Sequence, residues 1–80
     1  MNDHEITRQI TSLVEEEHRL YEQGERHGLD AAERERLASL QVALDQCWDL
    51  LRQRRARREF GLDPGEARVR DAATVERYEQ

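Results

Sequence analysis

Five arginines crowd into seven residues at Arg52-Gln53-Arg54-Arg55-Ala56-Arg57-Arg58. Guanidinium forks grip carboxylates or phosphates, often with two hydrogen bonds at once. The run follows directly on Cys47-Trp48-Asp49-Leu50-Leu51. At about 100° per residue on a helix, Arg54, Arg55 and Arg58 fall on the face that Leu40, Leu44, Cys47 and Leu51 occupy. The charge therefore continues an apolar seam. Three uses compete. The arginines can pair with acids of the chain itself or of a second subunit, with Asp3, Glu5, Asp63, Glu66, Asp71 and Glu76 as candidates. They can receive an acidic partner protein. Or they can hold RNA or DNA phosphates. Charge runs on helices are most often structural or solvated, which favours the first use. A formal net charge of −5 and few aromatics weigh against the last.

Other candidate chemistry is weaker. Glu15-x-x-His18 repeats the carboxylate–histidine spacing of di-iron bundles, and a dimer of hairpins would supply four helices. The apolar face of that segment centres near Glu17, however. Glu15 lies nearly opposite it and His18 about 100° away, so the two do not point inward together. A solvated acidic face is the expectation, with no metal. Glu17 takes a seam position where a carboxylate needs a partner: an arginine of a second chain would set register there, or the side chain sits at a gap near the turn. Cys47 reads as a small buried hydrophobe. A catalytic thiol would want a basic neighbour, exposure and a pocket. His4, His18 and His27 do not cluster, and no phosphate loop or nucleophile elbow occurs. Neither catalysis nor a cofactor is expected.

Two helices must carry these residues. Ile6, Ile10, Leu13, Val14, Leu20 and Tyr21 recur at three- and four-residue steps, after an Asn2/Glu5 capping box. Gly24 and Gly28 signal the stop. Asp30 and Glu33 form a second capping box. Leu37, Leu40, Leu44, Cys47 and Leu51 then follow heptad spacing, with Trp48 on the flank, and the helix should run to Gly61. The short linker folds the pair into an antiparallel hairpin. In that register the segment Arg52–Phe60 overhangs the first helix by about two turns. Asp63-Pro64-Gly65-Glu66 can open a short helix. Val69, Val75 and Tyr78 are scattered anchors of an arm that docks on the hairpin or on a second copy.

Eighty residues, 36% hydrophobic and 39% charged, give one small domain with a thin core. Such a core barely offsets conformational entropy, so self-association is expected. All 13 basic residues are Arg. One Cys makes no internal disulfide and no apolar run reaches membrane length, which points to a cytoplasmic protein without a membrane role.

At LDQCWDLLRQRRARREFGLDP, residues 44–64, and ITSLVEEEH, Ile10 to His18, the chain resembles the bacterial domain-of-unknown-function family 2630. Val75-Glu76-x-Tyr78 is similar as well. The resemblance covers nearly the whole length and implies a complete, short, acidic helical protein. It assigns no catalytic or ligand residue.

The expectation is an all-α, coiled-coil-like antiparallel hairpin over residues 1–61. Its helices span about 3–24 and 31–60, with a turn at 24–30. A less regular arm follows at 62–80. Two copies should dimerise into a four-helix arrangement. The expected role is a non-catalytic interaction or scaffold module working through Trp48, Leu51, Arg54, Arg55, Arg58 and Phe60. The alternative is a small nucleic-acid or ribonucleoprotein-associated factor using the same arginines.

Overall fold

A computed structural model describes residues 1–79, with side chains described through Val75. The architecture is all-α. Helix α1 spans Asp3–His27, α2 spans Ala31–Glu59, a single 3-10 turn covers Pro64–Glu66, and α3 spans Ala72–Glu79.

Each boundary has a local cause. Both long helices open with a complete capping box, Asn2 with Glu5 and Asp30 with Glu33, so their first amides are satisfied from the start. Gly24 does not end α1. A helix absorbs an interior glycine at a cost of about 1 kcal/mol, and a Cβ at this position would meet the Leu29 side chain at an ordinary 3.4 Å. The chain turns instead at Gly28, at φ +77°, where the backbone amide closes on the Gly24 carbonyl at 3.0 Å. Helix α2 ends in a Schellman motif. Gly61 takes φ +72°, its amide bonds the Arg58 carbonyl, and the Leu62 amide bonds the Arg57 carbonyl at 2.7 Å. Asp63 caps the 3-10 turn by accepting from the Gly65 amide.

Helices α1 and α2 pack antiparallel. Ile6 and Ile10 meet Leu44, Cys47 and Leu50, with Leu13, Leu51 and Ala67 closing the edges. Leu40 is buried nearer the turn. Each such side chain contributes roughly 1.5–3 kcal/mol, so the few of them are all needed. Glu16 spans the pair with a two-pronged ion pair to Arg36, at 2.5 and 2.8 Å, and the Gln23 amide bonds Glu33 close to the turn.

The seam differs from its expected form on one side. Leu50 and Asp49 are buried although neither belongs to the heptad row, while Leu37 and Leu51 are half-buried. Leu50 joins the contact with Ile6 and Ile10 of α1, and Asp49 is covered by the arm. The arm lies along a second face of α2 of its own chain, so α2 is covered from two directions. Gln46 and Gln53 donate to the Arg70 and Arg68 carbonyls at 3.2 and 2.7 Å. Val75 is fully buried, whereas Val69 is exposed. The side chains of Glu76 and Tyr78 lie outside the described residues. Asp71 accepts from the Thr74 amide and starts α3.

Candidate interaction surface

The arginines sit on the last turns of α2, where α1 and the arm converge. Arg54 is the most enclosed, its side chain 11% exposed. Its Nε donates to Asp3 at 2.5 Å and a second nitrogen donates to the Pro64 carbonyl at 3.0 Å. Arg58 reaches the other Asp3 oxygen at 3.0 Å. One carboxylate, on the first turn of α1, is thus held between two guanidinium groups. The Arg54 hydrogen bond, then that of Arg58, holds the Asp3 carboxyl below its usual range. Asp3 therefore lies level with Arg54, and the overhang expected for residues 52–60 is shorter than two turns. The arm fills the remaining end.

The rest of the run is shared out. Arg57 faces Glu66 of the 3-10 turn at 3.7 Å. Arg55 pairs with Glu59 one turn on, at 3.2 Å, on the open surface. Of the acids proposed from sequence, Asp3 and Glu66 meet the arginine run. Surface pairs such as Arg55–Glu59 contribute little and remain exchangeable, whereas Arg54 is built into the junction of three segments.

The sequence-derived surface thus divides. Arg54 and Arg58 are fasteners of the N-terminus and the arm. Leu51 is half-buried at the edge of the core. Trp48 remains 47% exposed, Phe60 80% exposed, and Arg55 exposed. Trp48, Leu51 and Arg55 share one flank of α2, while Phe60 stands apart at the helix end.

One ionic residue escaped the sequence reading. Asp49 is only 2% exposed and accepts from Arg70 Nε at 3.0 Å and Gln53 Nε2 at 2.9 Å. This pair pins the arm to α2. The signal was present as Gln46, Asp49 and Gln53, a polar row at three- and four-residue steps on the face away from the seam.

The remaining candidates for chemistry are dispersed. Burial pushes the Cys47 thiol up, away from a reactive thiolate. His18 sits beside Glu22 on the outer face of α1 at 3.0 Å. The carboxylate that crosses to α2 is Glu16, and its neighbour Glu17 is half-buried. Among the described residues no group of three or more His, Cys, Asp or Glu side chains is placed to hold a metal ion. A cleft of about 90 Å³ lies between Ile6, Cys47, Leu50 and Val69, lined mainly by apolar side chains. Among the same residues no helix is long and apolar enough to cross a membrane.

Comparison with known proteins places the chain by family. The model of a family described as "Protein of unknown function (DUF2630)" matches residues 2–80. An uncharacterised protein of Mycobacterium bovis is 48% identical over 77 residues, covering 95% of this chain and 88% of its own. Uncharacterised proteins from two strains of Mycobacterium tuberculosis match with the same identity and coverage. No solved structure gives a significant match.

Proposed function

The chain belongs to that family of unknown function, and we propose that it is a small non-catalytic interaction module that presents one flank of a braced helical hairpin. The observation that carries this reading is Trp48. A large aromatic ring stays 47% exposed on a rigid helix, beside half-buried Leu51 and exposed Arg55. Tryptophan and arginine are the residue types that most often anchor protein interfaces. The scaffold behind them is fixed by the Asp3–Arg54–Arg58 junction and the Asp49–Arg70 pair, so the surface is preorganised. Cys47, its thiol pushed up by burial, is poorly suited to act as a nucleophile, which supports a role without catalysis.

The phosphate-binding alternative draws less support. Arg54, Arg55, Arg57 and Arg58 already face carboxylates of the same chain, and the net charge is −5. Binding through the remaining cations would also weaken steeply with salt.

The test is site-specific photo-crosslinking in cells that make the protein, with the crosslinker at position 48, 55 or 60 and at exposed Ser12, on the face of α1 opposite Tyr21, as control. Adducts with a protein, this one or another, at 48 and 55 but not at 12 are expected. An equal yield at all positions, or none at any, overturns the proposal.

A further inference from the structure

The arm covers one side of α2, and the opposite flank of the hairpin is left open. Tyr21 of α1 lies on that flank, because its hydroxyl accepts from Gln41 of α2 at 2.9 Å. Val14 stands seven residues before Tyr21, and Trp48 seven residues after Gln41, so both lie on the same side. Val14, Tyr21 and Trp48 are 45%, 46% and 47% exposed, three large side chains in one row. Arg55 stands seven residues beyond Trp48 and continues the row.

The charges on this flank are distributed in a way that suits a copy of itself. Arg54 beside Asp3 and Glu33 beside Gln23 fix the register of the hairpin. Arg55, in an exposed and exchangeable pair with Glu59, therefore lies near the first turn of α1, at one end. Glu25 lies at the other end, about 30 Å away at 1.5 Å per residue. Arg34, near the acidic end, is turned onto the Leu29 carbonyl at 2.6 Å. Val14 lies midway. A two-fold axis passing near Val14 sets the basic end of one molecule against the acidic end of the other. It also brings each Trp48 towards the His18–Tyr21 stretch of the second copy.

The surface area agrees. The chain exposes 5839 Å², whereas a compact monomer of its mass exposes about 5,000 Å². The outline is elongated, 50 × 25 × 16 Å, and a standard interface takes roughly 800 Å² from each partner.

We infer that the Val14–Tyr21–Trp48 flank binds a second copy of this chain in an antiparallel, two-fold arrangement, with Arg55 of each against Glu25 of the other. This rests on the reading of the chain as an interaction module and names its partner.

The experiment is sedimentation equilibrium on the purified full chain, with helicity checked by circular dichroism. The wild type should be a dimer, and Trp48→Glu should weaken dimerisation about 30-fold or more while remaining helical. Arg55→Glu should weaken it several-fold, and adding Glu25→Arg in the same chain should restore it, since the swap rebuilds the pair across the axis. A wild type that is monomeric at millimolar concentration overturns the inference. So does a dimer that Trp48→Glu leaves intact, or one that Glu25→Arg fails to restore. None of these results decides the crosslinking test, which also registers partners other than this chain.

Discussion

Asp49 and Arg70 form the contact whose removal should separate two physical effects. The carboxylate is 2% exposed, but the side chain of Arg70 is 35% exposed. Deleting Arg70 therefore strands a buried charge, whereas deleting Asp49 frees a guanidinium that water already reaches. Breaking a fully buried pair from one side costs about 3–5 kcal/mol. Water access at Arg70 lowers this to about 2–3 kcal/mol for Arg70→Ala. Asp49→Leu replaces the charge with an apolar side chain next to Leu50 and should cost about 1 kcal/mol or less. The double variant should lie near Asp49→Leu, with a coupling of about 2 kcal/mol. An 80-residue domain holds about 4–12 kcal/mol in all, so Arg70→Ala should lower Tm by about 10–20 °C. Thermal unfolding followed by circular dichroism measures this. The arm can also relieve the charge by lifting off α2, so trypsin cleavage at Arg68 is followed alongside. Arg70→Ala proving no less stable and no more readily cleaved than Asp49→Leu would refute the reasoning.

Three further outcomes follow from single positions. Asp3 has its folded pKa depressed below 3.8 by Arg54 and Arg58, so its contribution is complete above that value and is lost as pH falls through the depressed one. The stability gap between wild type and Asp3→Asn in urea titrations should therefore be widest near neutral pH and close in strong acid. Gly24→Ala should raise stability by about 0.5–1 kcal/mol, because its Cβ meets Leu29 at an ordinary 3.4 Å, while Gly61→Ala should lower it by about 1 kcal/mol through its φ of +72°, both read by calorimetry. Cys47 should react with a disulfide reagent at mildly alkaline pH far more slowly than a free thiol, accelerating to the free rate in denaturant, since burial raises its pKa.

The two long helices were legible because their signals are local. Asn2–Glu5, Asp30–Glu33 and the heptad from Leu37 to Leu51 lie within a few turns of one another, and the helices start where those signals stand. Gly24 misled because a glycine ends a helix only where positive φ is required, and here that position is Gly28. The bed of the arm was not legible for a different reason. Asp49 and Arg70 meet across 21 residues, and one apolar seam had already accounted for the periodicity of α2. The candidate surface was half legible. The sequence marked Trp48 and the arginines, and named Asp3 among several possible acids. It did not show that Arg54 and Arg58 converge on that one carboxylate, which depends on the register of the hairpin.

That convergence explains why an apolar seam turns to arginine. At Arg54 the α1 helix has reached its first turn, and the Asp3 side chain and the returning arm cover the end of α2. Leucine at 54 or 58 would have little to pack against and would leave the Asp3 carboxylate and the Pro64 carbonyl without their donors. Arginine packs its aliphatic stem along the helix and carries a donor fork to both groups at once, which lysine's single ammonium does less well. Two cations sharing one anion also leave positive charge at this end of the hairpin, adjoining Arg55 on the open flank. The junction that closes the fold thus makes that end of the hairpin basic and the end beyond Val14 acidic by comparison. An asymmetry along a rigid face is what lets identical molecules choose an antiparallel alignment over a parallel one.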